Sequence, residues 1–294
     1  MPSQPRIPPD ELLDWYERSR RDLPWRESGV SAWQILVSEF MLQQTPVARV
    51  LPIWGDWVRR WPTPSATAAA SAADVLRAWG KLGYPRRAKR LHECATVIAR
   101  DHGDTVPDDV EILLGLPGIG SYTARAVACF AYRQPVPVVD TNVRRVVARA
   151  VHGLADAGAP SAARDHADVS ALLPDDDTAP QFSVALMELG AIVCTARAPR
   201  CGLCPLSKCA WRYAGYPPAQ GPARRVQSYA GTDRQVRGLL LDVLRLSDFP
   251  VTRAELDVAW LTDTQQRDRA LNSLLVDGLV TQTADGRFAL LGEG

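Results

Sequence analysis

Four of the six cysteines crowd into one short stretch, Cys194-x6-Cys201-x2-Cys204-x4-Cys209, while Cys94 and Cys129 stand alone in helical patterns. In a reducing compartment, thiols gathered this closely point to metal rather than to disulfides. A structural zinc site is one reading, but zinc usually draws on two Cys-x-x-Cys knuckles across a longer loop. Only one such pair occurs here, and the compact spacing favours a 4Fe–4S cluster. Arg197, Arg200, Lys208 and Arg212 surround the four thiols, so a loop stapled by metal would carry cations suited to phosphate. Cys94 and Cys129 read as small buried residues.

Two carboxylates form a second constellation. Glu39 lies inside Ala-Trp-Gln-Ile-Leu-Val-Ser-Glu-Phe-Met-Leu-Gln-Gln-Thr, a stretch with no other charge. A carboxyl in apolar surroundings tends to hold its proton and can serve as a general acid. The alternative is a solvent-facing position on an amphipathic helix. Asp140 follows the apolar run Pro135 to Val139 and precedes Thr141-Asn142-Val143, where capping the next helix is the plainer role. A protonated acid facing a carboxylate suits cleavage of a glycosidic bond, whose transition state resembles an oxocarbenium ion. A third signal is Leu116-Pro117-Gly118-Ile119-Gly120, a tight hairpin between helical patterns. Gly118 and Gly120 would free backbone N–H groups for a phosphate at the next helix start, although a simple helix–helix turn also explains them.

These residues must be positioned by helices. Apolar residues at helical spacing mark Pro9 to Arg20, Ala32 to Gln44, Ala66 to Leu82 with Ser65 as a cap, Arg87 to His102, Asp108 to Leu114, Tyr122 to Tyr132, Asn142 to Val151 and Gln181 to Cys194. Alternating apolar stretches are scarce, so this part reads as all-α. A Pro- and Gly-rich stretch, Tyr213 to Gln227, reads as a linker. Helices over Asp233 to Leu246, Arg253 to Trp260 and Thr264 to Asp277 then precede strands Leu279 to Thr283 and Arg287 to Leu291, joined at Asp285-Gly286. Three helices and a hairpin resemble a winged-helix domain.

The whole chain has 294 residues, 46% hydrophobic and 23% charged, with a net charge of +1. That composition describes an ordinary globular protein, the length allows two domains or one large domain plus a small one, and a near-neutral total can hide a local basic surface. No apolar run approaches a bilayer span, and the N-terminal residues lack the apolar core of a signal peptide, so a cytoplasmic protein is expected.

Leu-Pro-Trp-Arg, Ser-Glu-Phe-Met-Leu-Gln-Gln-Thr, Leu-Gly-Tyr, Leu-Pro-Gly-Ile-Gly-Ser-Tyr-Thr, Val-Asp-Thr-Asn-Val and the four cysteines follow one another in this order. Over roughly residues 10 to 215 the chain thereby resembles the adenine DNA glycosylases of the helix-hairpin-helix superfamily with an iron–sulfur loop. The resemblance implies a mainly α, two-lobed glycosylase domain over 1–220, with a six-helix lobe at about 31–136 and a cluster lobe joining 1–30 to 137–220. It places double-stranded DNA across the cleft, with adenine opposite 8-oxoguanine or guanine as the target. Residues 221–230 would be the linker and 231–294 the small winged-helix-like α+β domain. By the same resemblance Glu39 protonates the adenine ring and Asp140 stabilises the sugar cation, with Tyr122 and Asn142 in support. Trp25, Arg26 and Arg21 match positions lining the adenine pocket, and Gln44 and Tyr84 match residues that wedge into the duplex as the base leaves. Cys194, Cys201, Cys204 and Cys209 would hold a 4Fe–4S cluster. A monomer in the cytoplasm, associated with the nucleoid and not with membrane, is implied.

The chain departs from the family pattern in its last cysteine interval, at Val184 where Gln or Glu is common, and at Pro85 where a second tyrosine is common. Its C-terminal region is also too short to resemble the larger domain that reads 8-oxoguanine in many relatives. Truncation near Gly231 is therefore expected to preserve adenine release opposite guanine, with any preference for 8-oxoguanine weaker than in relatives with the larger domain and set mainly by Gln44 and Tyr84. The alternative is that the segment packs on the cluster lobe through Leu239, Leu240, Val243 and Leu244, so that truncation exposes an apolar face. Two other readings remain at this point. An endonuclease III-like enzyme would remove oxidised pyrimidines and nick the strand through a lysine Schiff base, but that position holds Tyr122. A non-catalytic DNA-binding protein with a redox-sensing cluster would leave a buried Glu39 costly and unexplained.

Overall fold

The computed structural model describes residues 7–219 and 229–293; most of the expected linker, with Arg224 and Arg225, lies outside them. In chain order the helices are α1 Pro9–Ser19, α2 Ala32–Leu42, α3 Val47–Arg60, α4 Pro64–Ala68, α5 Ala72–Trp79, α6 Arg86–Asp101, α7 Val110–Leu114 and α8 Ser121–Tyr132. They continue as α9 Thr141–Ala150, α10 Ala162–Ser170, α11 Ala179–Ile192, α12 Ala210–Tyr213, α13 Asp233–Arg245, α14 Arg253–Asp257 and α15 Thr264–Val276. The strands β1 Val280–Gln282 and β2 Phe288–Leu290 close the chain. The mainly α reading therefore holds, including the small two-stranded C-terminal region.

Three expectations change in detail. The single helix expected over Ala66 to Leu82 is two, because the Ser71 hydroxyl accepts from the Asp74 N–H (3.0 Å) and starts α5 afresh. Thr63, not Ser65, caps α4; the Ser65 hydroxyl instead donates to Asp104 (2.6 Å). Helix α3 was not expected, since Pro52 sits inside it. Its Val50, Trp54 and Trp57 fall on one buried face, and that burial outweighs the hydrogen bond lost at proline.

Two compact units divide the chain. One comprises Met1–Val30, Asp108–Leu114 and Ile119–Ala223. Its core is built where Leu12, Trp15 and Tyr16 of α1 meet Val143, Val146 and Val147 of α9 and Phe182, Leu186 and Leu189 of α11. The other comprises Ser31–Pro107, Gly115–Gly118 and Arg224–Gly294. There α2 packs on α3 and α6, and α4 on α6, while Trp57 meets Trp61 and Trp79 edge-on at 4.7 and 6.0 Å.

The C-terminal module belongs to this second unit. Helix α13 packs on α15, and β1 pairs antiparallel with β2, Val280 opposite Leu290, around Gly286 at φ 82°. Both α13 and β2 pack on α5. The alternative of packing on the cluster lobe is thus corrected. Leu240 and Leu244 are buried, but in a core that includes α5, where Arg77 forks onto Glu293 and the Ser247 carbonyl.

Candidate active site and cysteine loop

Helix α2 starts at a capping box: the Ser31 hydroxyl accepts from the Gln34 N–H (3.3 Å), and the Gln34 side chain accepts from the Ser31 N–H (2.9 Å). Trp33 and every residue from Ile35 to Met41 is buried, so the helix has no solvent face along this stretch. Glu39 is 5% exposed. The solvent-facing reading is excluded, and a carboxyl stands in the centre of an apolar helix.

The loops after α2 and before α6 carry Gln44 and Tyr84, both exposed and both in left-handed backbone, at φ 56° and 47°. That conformation costs a residue with a β-carbon, so the surroundings must enforce it. Arg87 does. Its guanidinium donates to the carbonyls of Phe40 (2.9 Å), Met41 (3.0 Å), Gln43 and Gly83 (3.1 Å) and to the Thr45 hydroxyl (2.8 Å). Thr45 in turn donates to the Leu82 carbonyl (3.1 Å), so one residue staples both loop tips. Burial lowers the Arg87 pKa to about 10, which leaves it charged at neutral pH. Nothing in its spacing marked Arg87, because its partners are mostly backbone carbonyls and the Thr45 hydroxyl lies far off in sequence. Gly118 also packs closely: a β-carbon there would lie 2.7 Å from the Arg90 β-carbon and 3.0 Å from the Phe40 ring, at φ 78°. Packing alone thus requires that glycine, whatever its N–H binds.

In the other unit Asp140 caps α9, accepting from the Val143 N–H (2.7 Å) and from the Asn142 amide (2.6 Å). The capping role is real and leaves a second carboxylate function open. Burial pushes the Asp140 carboxyl above its ordinary range, against these hydrogen bonds. Asn142 is fixed by Arg145, which donates to its side-chain oxygen (2.7 Å), to the Gly190 carbonyl (2.7 Å) and to the Cys194 carbonyl (2.7 Å). A continuous chain of hydrogen bonds therefore joins Asp140 to the start of the cysteine loop. Helix α11 passes so close that a β-carbon on Gly190 would lie 2.7 Å from the Asn142 β-carbon. Tyr122, on α8, brings its hydroxyl to 3.8 Å from the Met187 sulfur, and Gly120 is the residue before that helix.

Arg21 and Arg26 converge on a residue that the spacing did not single out. Glu188 has a fully buried side chain and accepts from Arg21 Nε (2.7 Å) and Nη2 (2.8 Å) and from Arg26 Nη2 (2.9 Å). Burial alone would raise its pKa, but the Arg21 hydrogen bonds and the Arg26 charge outweigh that and hold it at about 2. Trp25 is buried between the two arginines in sequence. Val184, one helical turn before Glu188 on α11, lies at the edge of the apolar core.

The four loop cysteines are free and line one small cavity together with Val146, Leu189, Leu206 and Trp211. Buried Arg149 reaches into it, donating to the Cys194 sulfur (3.4 Å) and to the carbonyls of Thr195 (2.7 Å) and Ala196 (3.1 Å). Burial pushes the Cys204 thiol up to about 11, so a thiolate persists there only beside a bound cation. Four thiols around one apolar cavity fit a cluster held by cysteine. Among the described residues no three His, Cys, Asp or Glu gather around a point suited to a single ion. Arg197, Arg200 and Lys208 are exposed, but Arg212 is spent on the carbonyls of Leu206 and Ser207.

Comparison with known proteins agrees with this geometry. Residues 37–166 match the HhH-GPD superfamily of base excision DNA repair proteins, and residues 194–208 match the iron–sulfur binding domain of endonuclease III. The chain is 83% identical to the adenine DNA glycosylase of Mycobacterium tuberculosis over 96% of its length and 93% of that protein's. It is 75% identical to the adenine DNA glycosylase of Mycolicibacterium smegmatis, over 98% and 97% respectively. A thermostable thymine-DNA glycosylase structure superposes with a TM-score of 0.63 at 28% identity, covering 70% of this chain and 95% of that one. The chain belongs to the adenine DNA glycosylase family, within the helix-hairpin-helix base excision repair enzymes that carry an iron–sulfur cluster.

Proposed function

We propose that this enzyme hydrolyses the N-glycosidic bond of adenine mispaired with 8-oxoguanine or guanine, and leaves the abasic strand uncut. The observation that carries the reading is Glu39, a carboxyl 5% exposed in the middle of an apolar helix. In this reading the flipped adenine takes a proton from Glu39, which makes it a neutral leaving group as the bond to the sugar C1′ breaks. The Asp140 carboxylate, raised in energy by burial, stabilises the oxocarbenium character at C1′ until water adds there. Tyr122 and Asn142 support the pair. Arg21 and Arg26, aligned by Glu188, line the adenine pocket with Trp25. Gln44 and Tyr84 fill the space the base vacates, and the N–H groups around Gly118 and Gly120 hold phosphate.

Cys194, Cys201, Cys204 and Cys209 would hold a 4Fe–4S cluster, which supplies a structural cross-link to the loop bearing Arg197, Arg200 and Lys208. We place residues 1–220 in the glycosylase domain and 231–294 in a winged-helix-like module, acting as a monomer on double-stranded DNA in the cytoplasm and nucleoid. The test is base release from duplexes carrying adenine opposite 8-oxoguanine, adenine opposite guanine, and thymine glycol. Thymine glycol processing with strand nicking would instead support an endonuclease III-like activity.

A further inference from the structure

The C-terminal module is fastened on both sides of Tyr84. On one side Asp277, at the end of α15, pairs with Arg86, two residues after Tyr84, and with Arg237 of α13 (2.6 Å). On the other, Arg234 in the first turn of α13 donates to the Tyr84 hydroxyl (3.1 Å) and lies 5.9 Å from its ring centroid. Arg87 lies 5.3 Å from the same centroid, so two guanidiniums from different parts of the chain share one exposed ring. Arg234 is itself held over the Tyr229 ring at 5.0 Å. Tyr84 sits in strained left-handed backbone, is 39% exposed and precedes Pro85, so beyond Arg87 its ring direction depends on Arg234.

We propose that Arg234 is a positioning residue for Tyr84, and that through it the C-terminal module sets how the duplex is wedged open and how opposite bases are told apart. The module acts on the opposite base through the wedge. The ring is aimed by a cation and a hydrogen bond, both of which favour one orientation over the freely rotating phenol. The inference rests on reading Tyr84 as a wedge. It also gives the module a part in the discrimination that the sequence assigned mainly to Gln44 and Tyr84.

The test uses the full-length holoenzyme with Arg234→Ala, Arg234→Lys, Tyr84→Ala and the Arg234→Ala/Tyr84→Ala double variant. Two quantities are read. One is the ratio of single-turnover adenine release opposite 8-oxoguanine to that opposite guanine. The other is fluorescence of 2-aminopurine beside an uncleavable abasic analogue in bound duplex, which reports unstacking without any base release. Arg234→Ala should shift the ratio about tenfold toward unity and reduce the fluorescence rise, consistent with losing one ring contact and one hydrogen bond. Its melting temperature should fall by no more than a few degrees, since Arg234 is exposed and the other contacts of the module remain. Arg234→Lys should recover part of both signals, and Arg234→Ala should add nothing in the Tyr84→Ala background. An unchanged ratio and fluorescence in Arg234→Ala, or effects that add to those of Tyr84→Ala, would overturn the proposal. If the wild type releases no adenine from any duplex, the proposed function fails, yet the fluorescence comparison still decides the role of Arg234.

Discussion

Replacing Glu188 by glutamine keeps the volume of the side chain and removes the charge that Arg21 and Arg26 share. The native carboxyl titrates at about 2 against an ordinary 4.5. That depression corresponds to roughly 3 kcal/mol of stability at neutral pH. That loss matches the ~3–5 kcal/mol lost when one partner of a buried ion pair is removed. For a protein of this size the loss lowers the melting temperature by about 10 °C. The pH dependence follows from the sign of the shift. A depressed carboxylate contributes fully above its unfolded pKa and loses its contribution as pH falls toward the folded value. The gap between wild type and Glu188→Gln is therefore flat above pH ~5 and about 1 kcal/mol smaller by pH ~4. Urea denaturation followed by circular dichroism at both pH values measures it. A gap below ~1 kcal/mol at neutral pH, or one that widens on acidification, would refute the assignment of Glu188 as the anchor of both arginines.

Gly190→Ala should lower the melting temperature and slow base release, because the new methyl displaces Asn142 from a contact with no spare room; overpacking of this kind costs ~1–3 kcal/mol. Near-wild-type kinetics and melting in that variant would contradict it. Arg87→Ala should free both the Gln44 and Tyr84 loops and weaken binding to an abasic-analogue duplex by at least about tenfold, measured by fluorescence anisotropy. The purified protein should be yellow-brown with four irons per chain, and Cys201→Ser should lose iron and DNA affinity together; elemental analysis finding one zinc and no iron would remove the cluster assignment. With Tyr122 where a lysine would form a Schiff base, borohydride should not trap the wild-type protein on DNA, whereas efficient trapping would support a lyase.

Much of the candidate site was legible because the chemistry proposed for it constrains residue type in local sequence. A lone carboxyl in an apolar helical stretch, four thiols within one short loop, and a Pro-Gly-x-Gly turn all announce themselves by spacing. Glu188, Arg87 and Arg145 did not. Their partners are distant in sequence or are backbone carbonyls: Glu188 meets Arg21 across 167 residues, and Arg87 reaches carbonyls more than 40 residues away. Helix α3 escaped because Pro52 outweighed an apolar face that only tertiary burial rewards. The seat of the C-terminal module was not legible for a related reason. Its apolar stripe on α13 shows that it packs on something, but its seat on α5 and beside α6 is also marked by Arg77 with Glu293 and Arg86 with Asp277, charged residues that read as ordinary surface until their partners are known.

The most direct test is single-turnover reaction of the holoenzyme with a duplex carrying adenine opposite 8-oxoguanine, scored for free adenine and, separately, for strand breaks before and after alkali. Wild type should release adenine stoichiometrically, with breaks appearing only after alkali. Glu39→Gln should bind the same duplex with unchanged affinity and release none, because an amide supplies no proton as the bond to C1′ breaks. Adenine release by Glu39→Gln at near the wild-type rate, or wild-type strand breaks before alkali with the adenine still attached, would contradict the assignment of this chain's chemistry to Glu39.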